Sequence, residues 1–68
     1  MREHVDGYLT RRIQSLYPDA LILKLVAEED EQWVLRRQGY EDIGLGPCFK
    51  AAKSSVLGIL NVGRLNGN

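Results

Sequence analysis

Residues 44–53 read Gly44-Leu45-Gly46-Pro47-Cys48-Phe49-Lys50-Ala51-Ala52-Lys53, and here the chain changes its period. The two glycines relax the backbone, and Pro47 suits the first turn of a helix. From Phe49 the pattern is helical: Phe49, Ala52, Val56, Ile59, Leu60 and Gly63 fall on one face. Lys50, Lys53, Leu57 and Arg64 follow its flank, within an arc of roughly 60° by helical geometry. The last residues, 63–68, read as a frayed polar tail.

Working back from this junction, the period is two. Glu41 to Leu45 gives a short strand with Ile43 and Leu45 on one face. Gln32 to Gln38 gives another, with Trp33 and Leu35 on one side and Val34 on the other. Ala20 to Glu28 places Leu21, Leu23, Leu25 and Ala27 on one face, and Ile22, Lys24, Val26 and Glu28 on the other. Leucine and alanine also suit a helix there; the nearby Pro18 and the match to the next segment tip the reading towards strand. Glu28-Glu29-Asp30-Glu31 then serves as a hairpin connection without the glycine or asparagine such turns favour.

Arg2 to Tyr17 shows helical spacing, with Val5, Tyr8, Leu9, Ile13, Leu16 and Tyr17 in one stripe. Gly7 weakens its first turns and makes Asp6 a candidate N-cap, while Pro18 ends it. The expected fold is therefore α+β in the order α-β-β-β-α. It is one domain over 1–68, a three-stranded antiparallel sheet with both helices packed on one face.

Composition limits the function classes. Hydrophobic residues are 44% of the 68 and charged ones 26%, an ordinary globular mix. Nine basic and nine acidic residues cancel, so no net charge draws nucleic acid or anionic membrane, but the two signs are unevenly placed. A core this small is marginal, and self-association would relieve the shortage. Cys48 and His4 are single, so neither a disulfide within one chain nor a His/Cys metal cluster is expected, and no cofactor is implied. The apolar run near Leu21 is broken by Lys24 and is too short for a bilayer. Met1-Arg2-Glu3-His4 lacks the apolar region of a secretory signal, and an unpaired thiol fits a reducing, cytoplasmic location.

The element order, closing in a glycine pair that opens a lysine-bearing helix, resembles the double-stranded RNA-binding domain. The residues that carry the resemblance are Gly44, Gly46, Cys48, Phe49, Lys50, Ala52 and Lys53, followed by Val56 and Leu57. The resemblance implies RNA contact by the first helix, the loop between the first two strands and the lysines opening the last helix. Lys50 and Lys53 match two of those lysines, and Phe49 replaces another. The loop departs most: four consecutive anions, Glu28 to Glu31, stand where phosphates should be approached, and like charges repel. The same fold resembles mRNA-interferase toxins of the HicA type, which carry a catalytic histidine on a strand. No strand expected here holds one, which argues against that enzyme.

Other chemistry is thin. Cys48 would sit in the first turn of the last helix, where the dipole lowers a thiol pKa, but it lacks a base, with His4 in the N-terminus. Gly44-Leu45-Gly46 lacks the spacing of phosphate-binding loops. The pairs Arg11-Arg12 and Arg36-Arg37 would grip phosphates or pair with neighbouring carboxylates. Trp33, Tyr8, Tyr17, Tyr40 and Phe49 include candidate interface anchors, and Leu57 stands among Lys50, Lys53 and Arg64 as an apolar contact point.

The expected function is a non-catalytic binding module acting on structured RNA or a nucleoprotein complex. Lys50, Lys53, Arg64, Arg11 and Arg12 are its nucleic-acid contacts; Glu28, Glu29, Asp30, Glu31 and Leu57 face a partner. The rival is a protein-interaction module without RNA binding. It would be a homodimer or a small phage-type inhibitor resembling anti-CRISPR proteins in size, docking its acidic loop on a basic protein.

Overall fold

The computed structural model describes the backbone of residues 1–66 and the side chains of residues 1–63. The elements are β1 (Arg2–Val5), α1 (Gly7–Ile13), β2 (Leu21–Ala27), β3 (Asp30–Arg36), β4 (Ile43–Gly46) and α2 (Phe49–Asn66). The chain is α+β, with two helices and one antiparallel sheet in the order β1-β2-β3-β4.

The sheet has four strands where three were expected, because Arg2–Val5 is a strand and not the start of the first helix. Its register runs from Arg2↔Val26 to Val5↔Leu23, and the ladder closes with the Asp6 N–H donating to the Ile22 carbonyl at 2.8 Å. Asp6 then turns the chain. Its backbone is extended (φ −86°, ψ 106°), and its carboxylate accepts the Leu9 N–H at 2.9 Å, capping α1. The helix therefore begins at Gly7, where Asp6 satisfies a free amide, and everything before it pairs with β2.

Regular helix stops at Ile13, short of the expected Tyr17. The chain continues through turns in which the Leu16 and Tyr17 amides both donate to the Ile13 carbonyl. Segment 21–27 is a strand, settling the alternative between strand and helix.

One face of the sheet carries the core. Ile22, Trp33, Leu35 and Leu45 meet Leu9 and Ile13 from α1 and Ala52, Val56 and Leu60 from α2. Cross-strand partners share a face, so Ile22↔Leu35 and Lys24↔Trp33 define the helix-covered side. Two contacts, Tyr8 with Phe49 and Leu16 with Gly63, set the helices side by side in the same direction.

The junction at 44–49 has a mechanical reason for its glycine. Val34 pairs with Gly44 and Trp33 with Gly46, so Leu45 is the extra residue of a bulge, and its side chain enters the core. Gly46 has φ +134°, and a Cβ there would lie 2.6 Å from the Cβ of Ala51. Ser55 fixes the start of α2 over β4 by donating to the Leu45 carbonyl at 2.8 Å. α2 runs to Asn66, so residues 63–66 of the expected tail are helical; 67–68 lie outside the described residues.

Candidate nucleic-acid interface

Charge is divided between the layers. The two helices hold five of the nine basic residues and no acidic one; strands and loops hold the other four and all nine acids. Of the four cations outside the helices, three are paired. Arg36 meets Glu3 at 3.0 Å and Asp42 at 2.8 Å, Lys24 meets Glu31 at 3.2 Å, and Arg37 meets Asp19 at 3.5 Å. The Arg37 guanidinium also lies between Tyr17 and Tyr40, at 4.0 and 4.6 Å from their ring centres. Arg36-Arg37 is thus a structural pair.

Arg11-Arg12 is its opposite. Among the described residues no carboxylate lies within ion-pair distance of Arg11, Arg12, Lys50 or Lys53. Arg11, Lys50 and Lys53 are exposed and Arg12 is half-buried. The packing of α1 on α2 brings Arg12 and Lys53 together at the Tyr8 ring, which itself meets Phe49. Tyr8 and Phe49 stand 6.3 Å apart, tilted by 39°, and remain 48% and 40% exposed. Arg12 lies 5.8 Å from the Tyr8 ring centre and donates to its hydroxyl at 3.2 Å; Lys53 approaches the same ring at 6.0 Å. Leu57, one turn beyond Lys53, is also partly exposed. Arg64 continues the stripe by position, but its side chain lies outside the described residues.

The sequence named Tyr8 and Phe49 as anchors without uniting them. They are 41 positions apart, and only the packing of the two helices makes them neighbours.

The acidic stretch does not form a single surface. Glu28 and Glu29 make the two-residue turn at the hairpin tip, with Glu28 at φ +34°. Asp30 and Glu31 already belong to β3, and Glu31 is engaged by Lys24. All four are exposed.

Cys48 precedes the helix instead of lying in its first turn; its carbonyl accepts the Ala52 N–H at 3.0 Å, and its thiol is exposed. His4 stands on β1 opposite Lys24. A strand therefore does carry a histidine, contrary to expectation, because Arg2–Val5 pairs with β2 instead of starting the helix. Among the described residues no hydrogen bond orients the His4 ring, and no group of three His, Cys, Asp or Glu side chains converges on one point. An apolar groove of about 710 Å³ lies along the other flank of α2, lined by Leu16, Tyr17, Ile43, Leu45, Ile59 and Val62. None of its lining residues is charged. No helix among the described residues is long and apolar enough to cross a membrane.

Compared with protein-family models, curated proteins and solved structures, the chain matches none of them significantly.

Proposed function

We propose that the chain is a non-catalytic binding module, similar in fold to the double-stranded RNA-binding domain, that engages structured RNA or a nucleoprotein complex through its helical layer. The observation that carries this reading is the charge division: five cations and no anion on two adjoining helices, beside an exposed aromatic pair. A neutral chain still attracts phosphate locally when its cations are unpaired and its anions lie in the other layer. Arg11, Arg12, Lys50 and Lys53 are free to neutralise phosphates, whereas Arg36, Arg37 and Lys24 already have carboxylates. The α1 and α2 positions are those the resemblance implies for RNA contact. The acidic tip favours an orientation that keeps the hairpin away from the phosphates.

The test is fluorescence anisotropy with a labelled RNA duplex across a salt series. Binding should weaken steeply with salt, and Lys50→Glu/Lys53→Glu should abolish it while Arg37→Gln leaves it within about twofold. Salt-independent binding, or none, overturns the reading.

A second reading, contact with a protein or a second copy, is favoured by the open face of the sheet. Val5 and Leu21 are exposed there, with no helix above them. Light scattering distinguishes it: a dimer mass that reverts to monomer in Leu21→Glu supports a second copy, and a monomer mass removes that version.

A further inference from the structure

A regular duplex presents phosphates and sugars to a protein, and cations alone suffice to hold it. The helical layer offers more than cations. Tyr8 lies in the first turn of α1 and Phe49 begins α2, and both leave nearly half their surface in water. At 6.3 Å and 39° the rings lean on one another in a tilted contact, so no base fits between them, but each leaves part of its outer surface exposed at the same spot. Arg12 fixes the Tyr8 hydroxyl, and Lys53 stands over the same ring, so cations border that spot. Arg11 and Lys50, next in the chain to Arg12 and Phe49, add two exposed cations without carboxylate partners among the described residues. Aromatic faces rimmed by unpaired cations match an unpaired base and the phosphates on either side of it. The core does not require this exposure, since Leu9, Ile13, Ala52 and Val56 fill it without Tyr8 or Phe49.

We infer that Tyr8 and Phe49 form a stacking platform for an unpaired nucleobase, so that the preferred ligand is RNA with a bulged or looped base beside a helix. The inference rests on the proposed RNA-binding function and narrows its substrate.

Three labelled RNAs test it: a continuous duplex, the same duplex with a single bulged 2-aminopurine, and a hairpin with an unpaired loop. The bulged and looped RNAs should bind about tenfold tighter than the continuous duplex, and Tyr8→Ala or Phe49→Ala should reduce that preference to about twofold or less. The bulged 2-aminopurine should lose fluorescence on binding the wild type and keep it with Phe49→Ala. Circular dichroism of both variants establishes that they are folded, which their exposed positions favour. Equal affinity for all three RNAs, unchanged in the variants, overturns the platform while leaving the proposed function intact. No binding to any RNA overturns the proposed function and the platform with it.

Discussion

Arg36 on β3 reaches Glu3 on β1 at 3.0 Å, crossing the whole width of β2 on the face no helix covers. Arg36 pairs with Leu21 in register and Glu3 with Leu25, so the line between them passes over Leu23. Leu23 and Val34 are only 4% and 5% exposed although they lie on this open face. The register sets Arg36 on the same face as both, where its aliphatic stem can roof them, and its guanidinium is held also by Asp42 at 2.8 Å. Arg36→Ala should lower the urea midpoint and increase binding of an apolar dye. Glu3→Gln should do so less, because Asp42 still holds the roof. Equal midpoints for wild type and Arg36→Ala would show that the stem covers nothing that matters.

The same network makes stability depend on acid. Hydrogen bonds from Arg36 hold the Asp42 carboxyl below its usual value of 3.8, against the opposing effect of burial. Arg36, raised by Asp42 and Glu3, stays charged at every accessible pH. A depressed carboxyl contributes stability above its unfolded pKa, and that contribution disappears as pH falls through the lower, folded value. Melting temperatures of wild type and Asp42→Asn should therefore differ at neutral pH and converge as the pH falls below 3.8. A constant difference over that range would assign Asp42 a role independent of its charge.

Thr10 completes the sheet where β1 ends. Its hydroxyl accepts the Ile22 N–H at 2.9 Å and donates to the Ile22 carbonyl at 3.4 Å, in a site only 6% exposed. Thr10→Val keeps the shape but strands a buried amide, so it should cost about 1–3 kcal/mol. For a domain this small that is a large share of a total of about 3–5 kcal/mol. Thr10→Ser, which retains the hydroxyl, should cost less. Urea unfolding gives the comparison, and faster amide exchange at Ile22 in Thr10→Val locates the cause.

What the sequence made legible was what local period and local chemistry decide. The alternation in Leu21–Ala27, the Ala52, Val56, Ile59 and Leu60 part of the α2 stripe, and the capping role of Asp6 stand in the structure, whereas Phe49 of that stripe is exposed. β1 is not legible in this way because Arg2–Val5 carries only one β-branched residue, and Val5 also fits the helical stripe of Tyr8, Leu9 and Ile13. Its strand identity comes from pairing with residues 23–26, a contact no short window contains. The candidate site divides in the same way. Arg11-Arg12 and Arg36-Arg37 are alike in sequence, and only the positions of Glu3, Asp19 and Asp42 separate a free pair from a structural one.

The two glycines of the 44–46 junction are unequal. Alanine at Gly46 would combine φ +134° with a 2.6 Å approach to the Cβ of Ala51, which cannot swing aside. Gly46→Ala should therefore lose about 2–3 kcal/mol, or about 10–20 °C in melting temperature for a domain of this size. Gly44→Ala meets only the Gln32 amide at 3.1 Å, the far end of a flexible side chain, and should melt within about 5 °C of wild type. A reversed order in the two melts would place the strain at the wrong glycine.

Glu28 is the described non-glycine residue with positive φ, at +34°, and it sits in a two-residue turn among Glu29, Asp30 and Glu31. The left-handed conformation disfavours a long side chain, and three neighbouring anions add repulsion. Asparagine tolerates that conformation and removes one charge, so Glu28→Asn should raise stability by about 0.5–1 kcal/mol. Glycine relieves the strain equally but is freer when unfolded, so Glu28→Gly should gain less. Urea midpoints at low and high salt separate the two contributions, since screening removes the charge part and leaves the backbone part. If the gain from Glu28→Asn vanishes in high salt, repulsion alone accounts for it and the turn is unstrained.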